Sequence, residues 1–314
     1  MEALHGVRIR PAVEADMFAA FTVFRRSLSP MLFRLGSVPS PEITDAELAE
    51  SWGPRKAWIE HLWKTAAENW VAVSGTGGSG GVPGEVVGWA MSVQRGPLLE
   101  LTHFFVLPGS QSRGVGRALL DRAFPIGRGP HRAIIATQDP RATSRYLRQG
   151  VRFISTIGEF EKAPTRIEPS TDLVFDTLDR SPNSVALVES VQEQLIGHRR
   201  EVDIDFLLSR QPAWVARRSG VPVAFAFGHS NEICGPIGVL DSADLPAVLD
   251  HVENHAAEIG ATNLYFSTPL RNHGAVEHLL ARGYTIDPFF TSFLADSDWL
   301  PVDRWIHTGI SYIF

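Results

Sequence analysis

The chain switches repeatedly between two hydrophobic periods. In VRIRP, from Val7, the apolar positions Val7, Ile9 and Pro11 alternate with arginines, which is the two-residue repeat of a half-buried strand, and Asp16 follows near a helix start. DAELAESWGPRKAWIEHLWKTAAENW reads as a second helical region. WVAVS from Trp70 and EVVGWAMSV from Glu85 are rich in β-branched and aromatic residues and read as strands. Between them GTGGSGGVPG is a loop with nothing to bury. LTHFFVLPGSQSRGVGRALL then runs from a strand through Pro and Gly into a helix. RAIIATQ (strand), PRATSRYLRQG (helix) and VRFISTIGEFE (strand) follow. Strands with inserted helices predict an α/β or α+β sheet domain.

The second half repeats this pattern. WVARRSGVPVAFAFGHS from Trp214 matches the earlier pair of strands. ICGPIGVLDSADLPAVLDHVENHAAEIG matches the strand, turn and helix. NLYFSTP matches AIIATQD, and GAVEHLLARGYTIDPFF matches ATSRYLRQGVRFISTIG. Val106 to Gly150 and Val239 to Gly283 are both 44 residues. Trp70 to Val106 is 36 residues and Trp214 to Val239 is 25, a difference close to the length of the Gly-rich insertion. Two copies of one domain explain these lengths. The join falls in the polar, Pro-containing EKAPTRIEPSTD, giving domains over 1–163 and 164–314. The tail DRWIHTGISYIF reads as a final strand with no assigned sheet.

Composition narrows the class. At 314 residues, 44% hydrophobic and 20% charged, the chain is ordinary globular protein of two-domain size. No apolar run reaches membrane-spanning length, and MEALHGVRIRPAVEADM lacks the basic-then-apolar pattern of a secretory signal. A single cysteine, Cys234, excludes an internal disulfide framework and a multi-cysteine zinc site. A cytoplasmic protein with no membrane partner is expected. The net charge of −6 argues against a nucleic-acid partner. Only three of the 29 basic residues are lysines, for which genomic base composition is the simplest cause.

Candidate chemistry concentrates at Gln111 to Arg117. A helix start leaves backbone N–H groups without intrahelical acceptors, and the helix dipole makes that end attract anions. Gly114 and Gly116 let a bulky anion approach, and Arg113 and Arg117 add charge. Several successive amides suit a diphosphate. The turn is neither a P-loop nor a dinucleotide fingerprint, because no Gly-Lys-Ser/Thr and no G-x-G-x-x-G is present.

The string Gln111-Ser112-Arg113-Gly114-Val115-Gly116, five residues after Val106, resembles the Q/R-x-x-G-x-G/A signature of the GNAT acetyltransferase superfamily. IRPAVEADM resembles the family's opening strand and helix start. ATSRYLRQG resembles its later helix, with a tyrosine four residues before a glycine. The resemblance implies two tandem GNAT-like domains, each a mixed, mostly antiparallel sheet flanked by helices. It implies acetyl-CoA as co-substrate, no metal, and direct transfer to an amine with no covalent enzyme intermediate. The loop amides of Gln111, Ser112, Arg113, Gly114, Val115, Gly116 and Arg117 would hold the diphosphate. The amides of Phe104, Phe105 and Val106 would orient the pantetheine arm and polarise the thioester. Tyr146 would be the acid. Glu100, six residues before Val106, would be the base, directly or through water. His103 is the rival base; strict alternation sets it on the opposite face from Glu100 unless a bulge intervenes. Where the family often carries asparagine seven residues before the tyrosine, this chain has Asp139, so no contact is assigned there.

In the second copy the aligned turn reads LDSADLPAVLD. Both glycines are gone, Asp241 and Asp244 stand at the helix start, Pro246 removes an amide, and Leu279 replaces the tyrosine. This copy is expected to be degenerate and to serve structure or acceptor shaping. His251 and His255 in HVENH are four apart but lack an evident third ligand. Trp52, Trp58 and Trp63 serve packing or wall an amine acceptor. The expected function is an N-acetyltransferase acting on a small-molecule amine, as a monomer of two pseudo-dimeric domains or a homodimer. The alternatives are a non-catalytic acyl-CoA sensor or scaffold, or an interaction module that binds no CoA.

Overall fold

The computed structural model describes residues 3–4, 6–75, 84–111, 114–229 and 234–308. The Gly-rich stretch between the WVAVS and EVVGWAMSV strands lies largely outside the described residues. The elements run β1 (Ala3–Leu4), β2 (Val7–Pro11), α1 (Met17–Arg34), α2 (Asp45–Lys64), β3 (Ala66–Ser74), β4 (Val86–Arg95), β5 (Leu98–Val106), α3 (Val115–Ala123), β6 (His131–Thr137), α4 (Pro140–Arg148) and β7 (Arg152–Lys162). They continue β8 (Val174–Thr177), α5 (Pro182–Ile196), α6 (Glu201–Leu208), β9 (Ala213–Arg218), β10 (Val221–Phe227), β11 (Ile237–Val239), α7 (Leu245–Glu258), β12 (Leu264–Pro269), α8 (His273–Ala281), β13 (Thr285–Ile286), β14 (Thr291–Ala295) and β15 (Trp305–Ile306). From β2 and again from β8 the succession is strand, two helices, three strands, helix, strand, helix, strand.

Two compact units form: Met1–Ile134 with Arg141–Val151, and Ile135–Pro140 with Arg152–Phe314. Compactness therefore divides the chain near residue 151. The boundary at 163 follows the order of the repeat instead. The difference is β7, whose hydrogen-bonding partners are β12, β13 and β14. A strand's periodicity shows which face it buries but not which strand it pairs with.

In the first unit β1 to β5 pair antiparallel in chain order, and β6 joins β5 in parallel. Asp16, at the start of α1, takes two hydrogen bonds from the Arg10 guanidinium, at 2.6 and 2.8 Å, which hold its carboxyl below the usual range. Thr44 and Glu47 cap α2 reciprocally: the Glu47 amide donates to Thr44 Oγ1 at 3.2 Å, and the Thr44 amide to Glu47 Oε2 at 2.7 Å. The strand after α2 begins at Ala66, earlier than Trp70, where the sequence pattern places it. Helix α1 covers the face of β4 and β5 that carries Trp89. Helix α3 covers the other face so closely that a Cβ on Gly88 would stand 2.9 Å from Leu119 Cδ1.

In the second unit β8, β9, β10, β11 and β15 form an antiparallel sheet, which settles the pairing of the tail as far as Ile306. β7 runs antiparallel between β12 and β14. Trp214, Val239, Val252, Phe266 and Leu279 belong to the unit's core. The segment after β7 docks on α7: the Thr165 amide donates to Glu253 Oε1 at 3.0 Å, and Asn254 brackets the Ile167 backbone at 2.8 and 3.0 Å.

Candidate active site

Strand β5 opposes β4 with Leu101 across from Ser92 and His103 across from Met91, so Thr102 is an extra residue in a β-bulge. The bulge returns Glu100 and His103 to one face, together with Val93, Met91 and Trp89, beneath α1. Phe104 and Val106 lie on the other face with Ala90 and Gly88, beneath α3.

Pairing of β5 with β6 ends at Leu101 and Ile134. On the β4 side the Leu107 amide donates to the Val87 carbonyl at 2.9 Å, which fixes the alternation of the ladder. The N–H and C=O of Phe105 then face β4, whereas those of Phe104 and Val106 face away. Of the three amides expected to contact a ligand, Phe104 and Val106 are thus presented at the strand edge and Phe105 is engaged in the sheet. Gln111 braces this end, its Nε2 donating to the Val106 carbonyl at 2.9 Å. Its side chain therefore shapes the turn.

Gly114 is the N-cap of α3 with φ of 81°, the left-handed region, where a Cβ costs about 1–2 kcal/mol. The first intrahelical bond is from the Ala118 amide to the Gly114 carbonyl, at 3.0 Å. The amides of Val115, Gly116 and Arg117 therefore have no acceptor within the helix. A Cβ at Gly116 would sit 3.4 Å from Phe104 Cζ and 3.7 Å from Val106 Cγ2, so the helix turn rests directly on β5. The Val115 side chain is core and offers only its amide. The Arg117 side chain is solvent-exposed and 3.5 Å from Asp121. Ser112 and Arg113 lie outside the described residues.

Tyr146 of α4 is buried, and its ring meets that of Phe104 edge-on at 5.8 Å. The end of α4 is pinned: Gly150 is left-handed at φ 86°, Arg132 Nη2 donates to the Gln149 carbonyl at 2.5 Å, and Gln149 Nε2 donates to Asp121 of α3 at 2.8 Å. One neighbour was not visible in the sequence. Arg145 Nε is 3.8 Å from the Cβ position of Gly116, and no spacing rule singles out one arginine of α4 from three.

Glu100 is 1% exposed, opposite Val93 and Ala133. His103 is equally enclosed. It stacks on Trp89 at 4.1 Å and meets the edges of Phe24 and Phe105. Burial pushes its pKa down to about 3. It is a neutral member of an aromatic layer that Trp63 extends, 5.9 Å from Trp89. Trp58 is core, and Trp52 packs on Phe18 and Phe21.

The corresponding turn of the second unit is closed by its own side chains. The Ala243 amide donates to Asp241 Oδ1 at 3.0 Å. Asp244 is buried and held by Arg218 at 2.7 and 3.0 Å. Pro246 is in the first turn of α7 and Leu279 is core. His251 stacks on Phe175 at 3.8 Å and His255 packs on Trp214 at 4.8 Å. Among the described residues no three His, Cys, Asp or Glu side chains converge as metal ligands, and no helix is long and apolar enough to cross a membrane.

The acetyltransferase (GNAT) family model matches residues 40–151. No curated protein sequence matches the chain. Among solved structures, a candidate acetyltransferase from Pyrococcus horikoshii is similar over 98% of this chain and 95% of its own, with 17% identity and a TM-score of 0.69. A GCN5-related N-acetyltransferase from Sphaerobacter thermophilus covers 94% and 96% at 16% identity and a TM-score of 0.56. A tandem GNAT protein from the clavulanic acid biosynthesis pathway covers 92% and 98% at 15% identity and a TM-score of 0.53. These likenesses concern the fold.

Proposed function

We propose, from the match of the GNAT family model to residues 40–151, that the protein moves an acetyl group from acetyl-CoA to the amine of a small-molecule acceptor by direct attack. The carrying observation is the contact of a glycine-built helix start with the edge of β5. A Cβ at Gly116 would stand 3.4 Å from Phe104 Cζ, in contact with the ring, so the helix start sits directly on the strand whose edge presents the Phe104 and Val106 amides.

When bound, acetyl-CoA supplies an activated thioester. The amides of Val115, Gly116 and Arg117, with the Gly114 turn and the neighbouring Ser112 and Arg113, hold its diphosphate. The amides of Phe104 and Val106 orient the pantetheine arm and donate to the thioester oxygen. Glu100 takes the proton of the attacking amine, directly or through water, from the α1 face of the sheet. The Tyr146 hydroxyl donates a proton to the departing sulfur from the α3 face. The two groups thus approach one strand edge from its opposite faces, one to receive the amine's proton and the other to supply a proton to the sulfur. The second unit is a degenerate copy that does not bind the co-substrate, because Asp241 and Asp244 occupy its helix start.

A thiol-release screen of small amines with acetyl-CoA, run beside calorimetry, tests this. Turnover with at least one amine and binding of coenzyme A are expected. Binding without release from any amine would make the protein an acyl-CoA sensor or scaffold. Absence of binding would overturn the reading.

A further inference from the structure

A cation stands where helix α3 is already positive. Arg145 is half-buried, and its Nε lies 3.8 Å from the point a Cβ on Gly116 would occupy, in the first turn of α3. Helix N-termini favour anions and disfavour cations. Among the described residues no carboxylate lies within ion-pairing distance of Arg145, whereas Arg117 reaches Asp121 on the solvent side.

The second copy shows what the same two helices do when no ligand is served. Aligned on Val106 and Val239, Arg117 corresponds to Asp250, and Arg145 to His278. Asp250 and His278 form a hydrogen-bonded pair at 2.8 Å between α7 and α8. The first copy places two arginines at these positions. Arg117 turns to Asp121 on the solvent side, which leaves Arg145 beside the first turn of α3, whose amides have no acceptor within the helix, and an anion there would satisfy both.

We propose that Arg145 is an anion-binding residue of this site. Its guanidinium, together with the first-turn amides of α3, takes phosphoryl oxygens of the diphosphate of coenzyme A. This rests on the acetyltransferase reading and adds to it a group delivered by the same helix that carries Tyr146.

The test compares the wild-type chain with Arg145→Gln and Arg145→Lys. Coenzyme A is titrated by calorimetry, and pantetheine, which lacks the diphosphate, is followed by ligand-observed NMR. Arg145→Gln is expected to weaken coenzyme A about tenfold, as loss of a charge-assisted hydrogen bond does. Arg145→Lys should recover part of that loss, and pantetheine should be unaffected. The ligand-free Tm of Arg145→Gln should be equal to that of wild type or about 2 °C higher, because a misplaced cation has gone. Coenzyme A affinity within twofold of wild type in Arg145→Gln, or equal losses for both ligands, overturns the assignment. Failure of the wild-type chain to bind coenzyme A overturns the acetyltransferase reading itself.

Discussion

Glu100 and His103 share one face of strand β5 although they are three residues apart, because the bulge at Thr102 inserts a residue between them. Their environments then separate them. His103 is clamped between Trp89 and Phe24 and stays neutral, with its pKa pushed down to about 3. Such an imidazole is a poor acceptor of an amine proton at neutral pH.

Glu100→Gln is therefore expected to lower kcat by about 100-fold or more, the usual range for loss of a general base. His103→Phe, which keeps the aromatic layer, should retain kcat within about threefold. Steady-state kinetics on both variants decide it. A larger loss in His103→Phe would exchange the two roles.

Tyr146→Phe keeps the ring contact with Phe104 and removes only the hydroxyl. A drop in kcat of about 100-fold is expected, with coenzyme A affinity unchanged within twofold. Parallel losses in turnover and in affinity would make Tyr146 a binding residue.

Gly114→Glu puts a side chain and a negative charge at a left-handed helix cap. Calorimetry should find no binding of acetyl-CoA, while thermal melts show a folded chain. Unchanged affinity would remove the cradle from α3.

Coenzyme A should bind once per chain. Arg218→Ala strips buried Asp244 of its partner and is expected to cost about 1–3 kcal/mol of stability, given the partial exposure of the arginine. Its coenzyme A affinity should equal that of wild type. A stoichiometry of two would mean that the second copy is intact in function.

Stability should fall in mild acid. His103 and His307 are held near pKa 3 and His251 near 4, each by burial, against 6.5 when unfolded. Below pH 6.5 the unfolded chain takes up protons that the folded one refuses. Each group then removes up to about 1.4 kcal/mol per pH unit as pH drops toward its folded value. Glu159 acts oppositely: burial raises it to about 7 from 4.5, so its contribution is complete below 4.5 and is lost as pH rises through 7. Denaturant titrations from pH 4 to 8 should show His103→Phe flattening the acid arm and Glu159→Gln the upper one.

The sequence by itself determined the elements, their repetition and the asymmetry of the two turns. Glycine at a helix start, apolar alternation and the spacing of Tyr146 from Gly150 are local properties, and local properties are written in consecutive residues. Only tertiary structure decided that β7 pairs with β12, β13 and β14, because strand partners are chosen by edges far apart in the chain. Only the ladder's register showed that the Phe105 amide is taken while those of Phe104 and Val106 are presented. The bulge that reunites Glu100 with His103, and the approach of Arg145 to Gly116, likewise depend on where a second element lies. Periodicity encodes a side chain's own face and carries no information about what stands opposite it.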